Sequence, residues 1–231
     1  TGAIQHAVNI LGKNPDASMV YGDGILIDSE KQILDWHCYP QLTAVDLMCW
    51  DVLLQPAVFM RRSALEQVGY LDPRYHLVLD HELWIRMAYQ GPLVHVDAFW
   101  AAERTHPDAK TMAAAAGFVK EAERLAAVFR EEDSYREVFS VYERRIHAST
   151  QSFAARRLID SGQYGQALGY FWKGMRILPK AVLRYWYKVL QALMGAVGLE
   201  PVFLWYRRKR RAIQHRGRQL TWVADRLEVS E

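Results

Sequence analysis

Cysteine is scarce: Cys38 and Cys49 are the only two in 231 residues, with no CxxC pair and no further thiols to complete a zinc site. A reduced cytoplasmic protein is the simpler reading, since nothing else motivates a disulfide between them. Charge of one sign is also lacking. The 29 Lys and Arg stand against 26 Asp and Glu, and a net +3 is too small for wholesale nucleic-acid binding. Long apolar runs are missing too: the uncharged stretch at 189–199 falls short of the roughly 20 residues of a spanning helix, and Glu200-Pro201 interrupts it. No basic region followed by an apolar run opens the chain, and a start at Thr1 rather than Met is read as a truncation. What is present is 51% hydrophobic and 24% charged, enough for a sizeable core in one or two globular domains.

Periodicity divides the chain. Ile4, Ala7, Val8 and Leu11 share one helical face, and Gly12 with Asn14-Pro15 stops that helix. Residues 18–28 read as a strand interrupted by Gly22 and Gly24, turning into a second strand at 33–37 as a hairpin. A compact strand is expected at 55–61, then a helix at 64–68 capped by Ser63 and closed by Gly69. Asp80 can cap a further helix in which Leu83, Trp84 and Met87 form the apolar stripe and Glu82 and Arg86 sit one turn apart. Gly91-Pro92 ends it, a strand follows at 93–100, and a polar loop at 103–111 leads into an all-helical tail from about 112. The expectation is therefore an α/β unit over 1–111 and a helical extension over 112–231. Within that extension Gly162, Ala167, Phe171, Gly174 and Pro179, with Ala155 and Leu158 before them, keep the spacing of one tetratricopeptide hairpin at about 150–180. A single repeat cannot bury its own apolar face, so packing on a neighbour is favoured over a peptide-binding array.

Five blocks in order resemble the second half of a family 2 glycosyltransferase catalytic domain. They are Thr1-Gly2-Ala3-Ile4; Val20-Tyr21-Gly22-Asp23-Gly24 with Ile27-Asp28; the block at 55–62 from Gln55-Pro56 to Arg61-Arg62; the block at 79–86 from Leu79-Asp80-His81-Glu82 to Arg86; and the block at 104–111 from Arg104 to Thr111. The combination is what carries the resemblance, and it covers about 1–111. It implies a truncated GT-A-like mixed sheet with helices, part of an inverting enzyme that moves a sugar from a nucleotide-sugar donor to a saccharide or lipid-linked acceptor. In cell-envelope polysaccharide synthesis such enzymes work at the cytoplasmic face of the membrane. It further implies a divalent ion, Mn or Mg, held mainly by an acidic motif that would precede Thr1, so that this stretch alone is inactive.

Carried over residue by residue, the resemblance makes Asp80 the general base and places Asp23, Gln55, Trp84 and Arg86 around the acceptor. It places Arg104, His106, Lys110 and Thr111 around the donor, with His106 as a metal ligand. Each has a plainer reading. Asp80 suits a helix cap, because the helix dipole favours its charge in either role. Trp84 suits simple core, and Gly22-Asp23-Gly24 suits a turn. Leu79 stands where similar enzymes carry a second acid, and Ala109 where they often carry Ser, which removes one phosphate donor.

The segment at about 182–211 joins Tyr185-Trp186-Tyr187, the apolar stretch at 189–199, Trp205-Tyr206 and the basic run at 207–211. It either lies on an anionic cytoplasmic leaflet or packs on the catalytic unit with a solvated basic end. The runner-up function makes the helical tail the functional part: a non-catalytic helical scaffold or membrane-docking module on a degenerate transferase unit.

Overall fold

The structure is a computed structural model that describes residues 2–28, 33–104, 114–214, 219–223 and 226–230. It is mixed α/β, with a four-stranded sheet followed by a run of helices. Helix α1 (Gly2–Lys13) leads into strand β1 (Met19–Ile27), whose residues are almost all buried. A near-continuous apolar run fits a strand covered on both faces. Strand β2 (Ile33–His37) returns antiparallel to the far half of β1, as the hairpin pattern predicts, and β3 (Val58–Met60) pairs antiparallel with its first three residues. Along its other side β1 runs parallel to β4 (Leu93–Arg104), which pairs with no other strand among the described residues.

Gly22 and Gly24 do not interrupt β1. Their missing side chains let neighbours approach: a Cβ on Gly22 would lie 2.6 Å from the Trp100 ring, and one on Gly24 2.2 Å from Leu54 Cδ2. The expected strand at 55–61 shortens to β3 because Pro56 opens a 3-10 turn, Gln55–Ala57. Helix α2 (Ala44–Met48) is started by a capping box between Thr43 and Asp46. Helix α3 (Arg62–Val68) begins one residue before the expected cap, so Ser63 lies inside it. Gly69 closes it at φ 81° as expected. The Arg61 side chain instead donates to the carbonyls of Leu11, Asn14 and Ala17, tying α1 to the sheet.

Helix α4 (Leu79–Gln90) precedes β4, and the tail opens with α5 (Ala115–Glu131) and α6 (Asp133–Asp160). One apolar cluster runs from Met19, Tyr21 and Met48 through Trp84 and Met87 to Leu125, Phe129, Ile146 and Phe153. The core therefore crosses the boundary expected near residue 112. The longer, second half of α6 packs in turn on α7 (Tyr164–Ile177), α8 (Pro179–Leu183) and α9 (Trp186–Ala196), burying Ala155, Leu158, Ala167, Phe171, Val182 and Ala192 together. Gly162 turns the α6–α7 hairpin at φ 75°, where a non-glycine residue would be strained. Gly198 at φ 77° separates α9 from α10 (Glu200–Gln214), and a short ribbon, β5 (Gln219–Val223) with β6 (Arg226–Ser230), follows. Among the described residues no helix is long and apolar enough to cross a membrane.

Candidate functional site around Asp80

The chain reaches α4 through a loop whose backbone amides need acceptors, and α5 supplies them. Glu121 Oε1 accepts from the amide of His76 at 3.0 Å, and Oε2 accepts from those of Leu77 at 2.8 Å and Val78 at 3.1 Å. One carboxylate thus fixes the entry to α4, using charge-assisted bonds stronger than neutral ones. Asp80 is not the residue that flanks the helix: α4 starts at Leu79 with Val78 before it and no side-chain cap from that residue. This corrects the reading of Asp80 as the cap. Its Oδ1 accepts from the His81 amide at 2.8 Å, and no side chain pairs with it. Burial pushes its pKa up, outweighing the two backbone amides that favour the anion.

His81, the next residue, is locked from three sides. Its Nε2 lies 2.8 Å from the Leu47 carbonyl, so that nitrogen carries the proton and donates, leaving buried Nδ1 without a partner. Its ring stacks on Trp50 at 4.8 Å, and Trp50 stacks on Phe153 of α6 at 4.0 Å while its Nε1 donates to Thr150. The turn bearing Asp80 is consequently held by tail helices as well as by its own unit.

Burial pushes the His81 pKa down to about 4 from an ordinary 6.5. The unfolded chain then binds a proton between those values that the folded chain refuses, so stability is present above pH 6.5 and lost as pH falls towards 4. The full loss is about 3 kcal/mol. Urea unfolding at pH 7.5 and 4.5 should show most of it, and His81→Phe should flatten that difference; an unchanged slope would mean another group drives the acid transition.

The remaining candidates are placed differently. Gln55 is exposed at the start of the 3-10 turn, next to the Leu54 side chain that packs on Gly24. Trp84 is 2% exposed, one turn along from Asp80, and forms core beneath it. Asp23 is not in a turn but in the irregular part of the β1–β4 pairing. There its Oδ1 accepts from the Tyr39 amide at 3.0 Å and lies 2.9 Å from His95 Nε2. Arg86 is engaged within the protein. Its five N–H donors go to both Glu82 oxygens and to the carbonyls of Val68, Gly69 and Tyr70. It also points about 120° around α4 from Asp80, into the wall of a cavity of about 270 Å³ shared with Tyr75, Phe129 and Tyr135.

Arg104 is exposed at the end of β4, paired across from Ile27. His106, Lys110 and Thr111 lie outside the described residues. Among the described residues no three His, Cys, Asp or Glu side chains converge to hold a metal ion. Cys49 is no nucleophile, because burial raises its thiol pKa to about 11.

Sequence reasoning passed over Glu121, Trp50 and His81. Glu121 carried a readable signal: a carboxylate flanked at helical spacing by Phe118, Ala122 and Leu125 sits beside an apolar face, where only a partnered charge is tolerated. No protein-family model matches the chain, and no curated protein matches it.

Proposed function

We propose that the α/β part of this chain is the acceptor side of an inverting family 2-type glycosyltransferase of GT-A fold, with Asp80 as the general base. The observation that carries this reading is the state of Asp80. It is a partly buried carboxylate at the start of α4, its pKa raised by burial, and no side chain among the described residues pairs with it. In the reaction Asp80 takes the proton from an acceptor hydroxyl as that oxygen attacks the anomeric carbon, and the nucleoside diphosphate leaves from the opposite face, which inverts the centre. The nucleotide and any divalent ion would be held by polypeptide outside residues 1–231. Among the described residues β4 pairs with β1 alone, and Ile4 and Val8 are left 61% and 59% exposed on α1, which supports further structure covering these surfaces. The test is sugar transfer by a polypeptide carrying these residues together with a nucleotide-binding half. Transfer at an undiminished rate by Asp80→Asn would remove the base from the scheme.

A second reading, membrane docking by the tail, is favoured by one specific observation. Trp186, Leu190, Leu193, Val197, Val202 and Trp205 are all substantially exposed on α9 and α10, and exposed Lys209 and Arg210 follow them. An apolar face flanked by aromatic rings and closed by cations suits an anionic leaflet. Co-sedimentation with phosphatidylserine-containing vesicles should occur and weaken with salt, with none to neutral vesicles; equal sedimentation with both would sink this reading.

A further inference from the structure

We infer that Arg156, Arg157 and Lys188 form a binding site for a small phosphate-bearing anion on the helical tail. The inference does not depend on the transferase reading.

Helical spacing sets up the site. Arg156 and Arg157 follow Phe153 by three and four residues, and both guanidinium groups lie over its ring, at 5.8 and 5.4 Å. Tyr185 takes a second face of Arg156 at 4.4 Å, and Phe118 of α5 a second face of Arg157 at 5.6 Å. Aromatic faces steady a guanidinium plane but accept none of its in-plane N–H bonds. The Nε of each arginine is buried without a partner. Arg156 donates one long bond, 3.4 Å, to the Trp50 carbonyl, and Arg157 donates no hydrogen bond to any of the described residues.

The acid present does not balance this charge. Among the described residues Asp160 is the one carboxylate paired with these three cations, and it stands 3.6 Å from Arg157 Nη1 and 3.8 Å from Lys188 Nζ. Both separations exceed hydrogen-bond length. Burial pushes the Lys188 pKa down to about 8, and Arg207, Arg156 and Arg157 add to that against the pull of Asp160. Burial likewise lowers Arg157. Cations gathered in this way weigh against the fold unless a counter-ion joins them.

Access and charge select the ligand. The side chains of Arg157, Lys188 and Asp160 keep 24%, 17% and 31% of their surface, so the cluster is reachable from solvent. Three cations, Arg156, Arg157 and Lys188, facing Asp160 leave an excess that a phosphate or diphosphate group meets better than another monoanion. Guanidinium forks match its oxygens in pairs while the ammonium serves as a point charge. A soluble phosphate is favoured over a lipid headgroup because Lys188 is on the inward side of α9, with buried Gln191 and Ala192, while Trp186, Leu190 and Leu193 face outward.

The experiment is thermal unfolding of the whole 231-residue chain with pyrophosphate, against sodium chloride at matched ionic strength. Pyrophosphate near 100 times its Kd should raise the wild-type Tm by about 5 °C. Arg157→Leu and Lys188→Met should lose that response, while without ligand each melts at or above the wild-type temperature because an uncompensated cation is gone. No pyrophosphate-specific rise in the wild type, or an undiminished rise in Lys188→Met, would overturn the site. If Arg157→Leu does not fold, Lys188→Met decides alone.

Discussion

Asp80→Asn should lower sugar transfer by about 10²- to 10⁴-fold, the usual loss when a positioned base is removed, and should leave the protein as stable as before or more so. The two halves of this expectation come from one physical fact. Burial raises the Asp80 pKa, so the stability linked to its protonation is present below the ordinary carboxylate pKa and lost as pH rises through the raised one. At neutral pH the ionised group therefore weighs against the fold, and a neutral amide of nearly equal size relieves that. A capping aspartate would show itself in Asp80→Ala, which typically costs about 1 kcal/mol when a cap is lost, whereas Asn caps as well as Asp. Urea unfolding of Asp80→Ala beside Asp80→Asn at pH 7 distinguishes the two even without a transfer assay. A destabilised variant that transfers sugar normally would return Asp80 to the role of a cap.

Trp50→Ala should destabilise the chain by about 3 to 5 kcal/mol, the range for emptying a large aromatic site. Trp50 is 1% exposed, stacks between His81 and Phe153, and satisfies its indole N–H on Thr150. It also has φ 64°, the one described non-glycine residue in the left-handed region. An L-residue there costs roughly 1 to 2 kcal/mol. Trp50→Gly creates a slightly larger cavity but removes that strain, so it should be the more stable of the two variants by about 1 kcal/mol. Denaturant unfolding of both measures this. If the alanine variant loses less than about 1 kcal/mol, the stack is not what couples α4 to α6. Because this stack holds the turn next to Asp80, the same variant should also reduce transfer more than its loss of folded protein explains.

The second-half helices matter here for more than length. Arg145 of α6 pairs with Asp46 of α2 at 2.7 Å, and Arg184 pairs with Asp51 just beyond Trp50. Together with Glu121 these contacts make the helical extension part of what shapes the Asp80 turn. A truncation near residue 112 would remove Glu121, Thr150 and Phe153 at once and expose much of the shared core.

The sequence by itself determined the elements whose signal is local. Helix α1 follows from its apolar spacing, the β1–β2 hairpin from two apolar runs around a polar turn, the ends of α3 and α4 from Gly69 and Gly91-Pro92, and the α6–α7 hairpin from Gly162, Ala167 and Phe171. Chain geometry within a few residues decides such features, so they can be read without knowing what packs where. Only the tertiary structure decided how the candidate residues are used. Asp80 looked like a cap because aspartate before an apolar stripe usually is one; the helix instead starts at Leu79, behind a loop whose amides are held by the distant Glu121. Arg86 looked available because its partner Glu82 is local, whereas the three carbonyls that complete its shell come from the end of α3 and the following loop. The boundary near 112 looked like a domain edge because composition changes there, yet burial is a property of facing surfaces, and Phe129, Ile146 and Phe153 face the sheet unit. Hydrogen-bond satisfaction and burial are settled by groups far apart in the chain, and it is those two quantities that leave Asp80 open while enclosing Asp23, Trp84 and Arg86.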